Sequence, residues 1–233
     1  MAETEGDERE AKRQDAVEVK VWDAPTRIFH WSLVACFAGA WITAEMGDRE
    51  WHERFGLAVI ALVLFRIVWG FVGGEFARFT SFVRGPGAVI AYVRETIGGR
   101  HREQPGHNPL GALAILALLL LLATQAGMGL FANDDILYEG PLYHLVTYDL
   151  SGTLTGWHHR LFDLILIVVG IHVLAVISYM LFLGVDLIQP MFTGVKRLPL
   201  DAVPERLRRT PLWVALLILA ATAGAAYGLT LLA

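Results

Sequence analysis

The chain has 233 residues, 55% of them apolar, a formal net charge of −4 and one cysteine. The apolar share fits a multi-span membrane protein far better than a water-soluble domain, and the charge gives no electrostatic case for a nucleic-acid partner. With Cys36 alone, an intrachain disulfide, a cysteine-ligated cluster and a covalent CxxCH haem site are all excluded.

Residues 1–20, MAETEGDEREAKRQDAVEVK, are charged and lack the apolar core of a secretory signal. They read as a retained, loosely ordered tail. Apolar runs near 28–46, 55–72, 110–131, 161–183 and 212–233 are each about as long as a bilayer requires, which predicts five spans. In lipid each segment must satisfy its own backbone hydrogen bonds, so the spans are expected to be helices. Pro25, Pro109 and Pro211 fall just before or at the start of a run, where a missing N–H costs little. Between the second and third spans, PGAVIAYVRETIGG reads either as a short interfacial helix or as an ordered connector. Between the third and fourth, Tyr138, Tyr143 and Tyr148 mark either a docking surface or aromatic interface anchors.

Lysine and arginine alternate between the loops. Arg9, Lys12, Arg13, Lys20 and Arg27 precede the first span; Arg78, Arg84, Arg94, Arg100 and Arg102 follow the second; Lys196, Arg197, Arg206, Arg208 and Arg209 follow the fourth. The first loop has only Arg49 and Arg54, and the third has Arg160 beside Asp134, Asp135, Glu139 and Asp149. Positive-inside bias puts the N-terminus in the cytoplasm and the C-terminus outside.

Within this topology four histidines fall at two depths. His158 and His172 share one apolar helical segment fourteen residues apart, which returns them to within roughly 40° of one direction and separates them by about 21 Å. His30 begins the first span on the cytoplasmic side and His52 precedes the second on the outer side, so the pairs are His30 with His172 and His52 with His158. One four-histidine zinc site is disfavoured, because all its ligands would have to lie about 2 Å from a single ion. Two separate two-histidine sites suit iron porphyrins, which need only axial ligands from the protein. His159 points to the opposite side of its helix from His172 and reads as a secondary contact.

Arg66 lies fourteen positions after His52, at the depth of the inner pair. It reads either as a partner for a haem propionate or as a snorkelling residue. Arg27 and Arg54, each close to a proposed ligand, are weaker propionate candidates. Gly56 and Gly170 give a macrocycle room to approach, or serve helix packing. His107 and Asn108 read either as quinone contacts or as a helix cap. Asp163 points away from the ligand face and receives no redox role.

The segments VWDAPTRIFHW at 21–31, WHERFG at 51–56 with Arg66 downstream, HNPLG at 107–111, and WHHRLF with GIH at 157–172 carry a family likeness. The chain resembles the bacterial cytochrome b561 family of di-haem membrane proteins, which is related to the b-type cytochrome subunits of membrane-bound hydrogenases. The resemblance implies an all-α membrane protein with a four-helix haem-binding bundle, here followed by a fifth, C-terminal transmembrane helix. It implies two non-covalent b haems, with His30 and His172 holding the inner iron and His52 and His158 the outer one. The expected organisation is a disordered tail at 1–20, a di-haem transmembrane domain at 21–194, and a cytoplasmic linker with the extra helix at 195–233. The expected function is electron transfer across a bacterial inner membrane between the quinone pool and a partner redox protein, such as a c-type cytochrome or a hydrogenase subunit. An anchor and conduit for a hydrogenase or periplasmic multihaem enzyme, and a stand-alone small-donor:quinone oxidoreductase, stay open beside it.

Overall fold

A computed structural model describes residues 16–99, 104–136, 138–203 and 207–232. Arg9, Lys12, Arg13, Arg100, Arg102 and Arg206 of the charge argument lie outside the described residues. In chain order the elements are β1 (Ala16–Lys20), α1 (Ala24–Glu45), α2 (Arg49–Val72), the short α3 (Phe79–Phe82), α4 (Pro86–Ile97), α5 (Pro109–Gly129), α6 (Tyr148–Leu183), the short α7 (Gln189–Thr193), β2 (Val195–Pro199) and α8 (Leu212–Thr230). Five of the helices, α1, α2, α5, α6 and α8, are long and apolar enough to cross a membrane. The protein is an all-α, multi-pass membrane protein. Of the two readings left open for the segment after the second span, the helical one is what the structure shows, as α4.

Local chemistry sets where the bundle helices begin. Asp23 accepts from the Thr26 amide (2.8 Å), Asp48 from Trp51 (3.1 Å), Asn108 from Gly111 (2.7 Å) and Thr147 from Leu150 (3.3 Å). Each cap satisfies an N–H that the first helical turn leaves without a partner. Asn108 is therefore a helix cap, and Pro109 follows it in the first turn, where no N–H is needed.

The α6 helix has 36 residues, about 54 Å, and starts well before the apolar run at 161–183. Residues 148–160 extend the fourth span as helix because Thr147 caps them and their hydroxyls find partners in the preceding loop. Ser151 Oγ donates to the Phe131 carbonyl (2.7 Å), and Thr155 Oγ1 accepts from the Asn133 amide (3.1 Å).

Helix α2 is the hub, packing against α1, α5 and α8, while α5 packs against α6. Its buried face carries Val59, Val63, Phe65 and Trp69, which join Phe29, Leu119, Leu122, Ile165 and Ala215 in one apolar cluster. The α8 helix buries its small residues Ala215, Thr222 and Ala226, which permit a close backbone approach. Thr210 Oγ1, donating to the Val72 carbonyl (2.8 Å), ties its entry to the end of α2.

One end of the bundle is closed by a two-stranded clasp. β1 pairs antiparallel with β2, from Ala16 opposite Pro199 to Lys20 opposite Val195. The last five residues of the expected loose tail are thus a strand, and the boundary drawn between 194 and 195 falls beside its partner. The alternation in AVEVK explains this, since it lets Val19 and Leu198 bury together with Val21 and Trp22. Gly194, at φ +84°, turns the chain from α7 into β2, and its carbonyl accepts from the Val21 and Trp22 amides at 2.9 and 3.1 Å. Trp31 Nε1 donates to the Met191 carbonyl (3.1 Å), so the clasp also grips α1.

Candidate functional site

At the end of the bundle away from the clasp, His52 of α2 faces His158 of α6. Their ring centroids are 6.1 Å apart and their planes cross at 82°. Two imidazole–metal bonds of about 2 Å, plus about 1 Å from each nitrogen to its ring centre, give about 6 Å for two rings on opposite sides of one iron. His52 Nδ1 lies 2.8 Å from the Ala40 carbonyl of α1, and His158 Nδ1 lies 2.9 Å from the Gln125 carbonyl of α5. A carbonyl can only accept, so each Nδ1 holds the ring proton and each Nε2 is left with a lone pair for a metal. All four helices of the bundle thus meet at this pair, two through side chains and two through backbone.

The space needed is also present. His52, Gly56, Ile60, Gly129 and His158 line a cavity here. A Cβ at Gly56 would meet no protein atom within 4 Å, whereas one at Gly129 would come within 3.2 Å of His158 Cε1. His159 also borders the cavity but is exposed, and its ring lies 6.1 Å from that of His158 rather than against His52. Arg54 sits on the outer surface, where it pairs with Glu50 and covers the Trp51 ring at 4.9 Å. The structure does not bring Arg54 to the histidine pair.

Towards the clasp, a second group forms from one polar residue per helix. His30 comes from α1, Arg66 from α2, His107 from the residue pair before α5, and His172 from α6. His172 is near enough to His30 to act on it electrostatically. His30 Nδ1 is enclosed and, among the described residues, has no hydrogen-bond partner. A Cβ at Gly170, two residues before His172, would also meet open space.

Arg66 is 2% exposed, with its guanidinium over the Phe79 ring at 4.9 Å, so it does not reach out to the interface. Among the described residues neither terminal nitrogen has a hydrogen-bond partner. Asp23, the acid whose charge it feels, is already engaged by the Thr26 amide and by Trp69 Nε1 (3.2 Å). A buried guanidinium without an acceptor is costly, and a carboxylate from a porphyrin is the kind of group that would satisfy it. Arg27 instead donates to the Phe192 carbonyl and so belongs to the clasp.

His107 is the residue whose place the sequence left open. Asn108 takes the capping role, and the His107 ring packs between Trp22 (4.4 Å) and Phe82 (4.7 Å). Burial, with Arg66 adding to it, pushes its pKa down to about 3 and keeps the imidazole neutral. The spacing of HNPLG gives no hint of this, because Trp22 and Phe82 lie far away in the chain. No three His, Cys, Asp or Glu side chains converge on a point suited to a metal ion among the described residues.

The residues therefore fit porphyrin ligation at one pair and porphyrin carboxylate binding near the other. A family model for prokaryotic cytochrome b561 matches residues 21–194. The chain belongs to the prokaryotic cytochrome b561 family. Membership makes the chain a b-type membrane cytochrome by family, and haem b is the cofactor the family implies. Its relatives include the probable Ni/Fe-hydrogenase 1 B-type cytochrome subunits of Escherichia coli K12 and O157:H7. Each is 25% identical over 137 residues, covering 47% of this chain and 58% of the relative. The b561 chain thus matches a little over half the length of those relatives. No solved structure matches it.

Proposed function

We propose that this cytochrome b561 carries electrons through two bis-histidine b haems between the quinone pool and a partner redox protein. When bound, the haems supply one-electron carriers at two depths of the bilayer. The His52–His158 geometry carries the reading, because two rings at iron-bridging separation, each with Nδ1 already donating to a carbonyl, leave two Nε2 lone pairs facing one space. His30 and His172 hold the second iron, about 21 Å along α6 from the first.

The remaining residues prepare these sites. The Ala40 and Gln125 carbonyls fix ring orientation and tautomer, and Arg66 neutralises a carboxylate that would otherwise be buried unpaired. Held by His30, His52, His158 and His172, the haems would supply one-electron transfer rather than oxygen chemistry. Charge bias places the clasp and the N-terminus on the cytoplasmic side of a bacterial inner membrane, so His30 and His172 form the inner site and His52 and His158 the outer one. The hydrogenase cytochrome subunits among the relatives favour a hydrogenase-type enzyme as partner.

Purified protein from a haem-replete host tests the reading. Two non-covalent haems per chain are expected, with His172→Ala and His52→Ala each removing one, and quinol is expected to reduce both in the wild type. A colourless protein, or one with a single haem, overturns it.

A further inference from the structure

Among the enclosed donors near the inner pair that find no acceptor in the described residues are those of Arg66 and His107. Arg66 offers both terminal nitrogens, and His107 has an enclosed Nδ1 without a hydrogen-bond partner among the described residues. An aromatic frame connects them: the Arg66 guanidinium covers Phe79, the Phe79 and Phe82 rings are 5.8 Å apart, and Phe82 packs on His107. Trp22 closes the other side of His107 and is itself held by the Gly194 carbonyl. These rings supply no oxygen for either group to donate to. An unpaired polar group enclosed in such a frame is destabilising, and more so when charged, so two together point to a ligand that accepts from both.

The haem reading above supplies one of the right chemistry, and this inference rests on it. We propose that His107 and Arg66 form a shared pocket for a carboxylate of the inner haem, with His107 donating through Nδ1 and taking no part in iron ligation. A carboxylate has two oxygens and only accepts, so it satisfies the fork of Arg66 and selects the imidazole tautomer protonated on Nδ1. His30 and His172 would hold the iron, and among the described residues His107 does not join them in a three-residue metal cluster. His107 is thus a positioning residue that sets the electrostatics of one haem. The clasp, through Trp22, holds it in place.

The test uses quinone-depleted holoprotein and potentiometric titration of both haems, with haem content and the low-spin ferric EPR signals recorded beside it. His107→Phe keeps the aromatic packing and removes the donor, His107→Asn keeps a donor near the position of Nδ1, and Arg66→Gln removes the charge. Expected are two haems and unchanged low-spin signals in all three variants. The midpoint of one haem is expected to fall in His107→Phe and Arg66→Gln, because less positive potential at the carboxylate disfavours reduction, and to stay near wild type in His107→Asn. The shift in the double variant is expected to be smaller than the sum of the single shifts. Unchanged midpoints with two haems present overturn the proposal. So does loss of one low-spin signal in His107→Phe, which would make His107 an iron ligand. If His107→Phe does not assemble, infrared difference spectra of the wild type with carboxyl-labelled haem decide. A labelled band that shifts in His107→Ala and stays near its wild-type position in His107→Asn supports the contact, and a band unmoved in His107→Ala rejects it. Wild-type protein lacking two haems would instead refute the underlying haem reading.

Discussion

Gly56→Ala separates the fold from its cofactor. Gly56 lies within α2 one turn after His52, and a Cβ there meets no protein atom within 4 Å. For the haem-free chain the added methyl is harmless, and replacing glycine inside a helix contributes about 0.5–1 kcal/mol of stability. With a macrocycle filling the space beside His52, the same methyl overpacks the site. Overpacking costs about 1–3 kcal/mol, equivalent to roughly a 5- to 150-fold loss of affinity for the outer haem. The two effects have opposite signs and are read by different assays. Thermal unfolding of the apoprotein is expected to move up slightly, while the rate of haem transfer to an apoprotein acceptor rises and haem content falls from two towards one. Gly56→Leu is expected to remove the outer haem altogether. Full haem content and unchanged haem release in both variants would refute the assignment of this space to a porphyrin.

His158→Ala is expected to abolish the outer haem signal in reduced-minus-oxidised spectra, and His159→Ala to preserve it, since the ring of His158 faces His52; the opposite pattern would exchange their roles. Gly194→Ala forces a side chain into a left-handed backbone, with its Cβ 2.6 Å from the Trp22 carbonyl. A cost of about 1–3 kcal/mol is expected, seen as faster hydrogen exchange in 16–22. Ala226, 3% exposed on α8, has no room for a larger side chain. Ala226→Leu is expected to cost about 1–3 kcal/mol in thermal unfolding while the outer haem spectrum persists, because no residue of α8 lines the His52–His158 cavity.

Much of this arrangement is legible in the residues themselves. Hydropathy marks five spans because the bilayer demands one length of apolar helix, and the helical turn of α6 sets His158 towards His52 while leaving His159 exposed. Hydropathy does not mark where a helix begins, so the capped turns from Tyr148 escape it. The groups orienting His52 and His158 are backbone carbonyls, which any residue at 40 or 125 would supply. His107 and the pairing of β1 with β2 depend on partners far away in the chain, and local periodicity carries no trace of such contacts.

That clasp also orders events during synthesis. β1 is made before the bundle helices, yet its partner β2 follows only after α6, so the strand waits unpaired while all four are made. Pairing of the two strands, which buries Val19, Trp22 and Leu198 together, is therefore a late step of assembly.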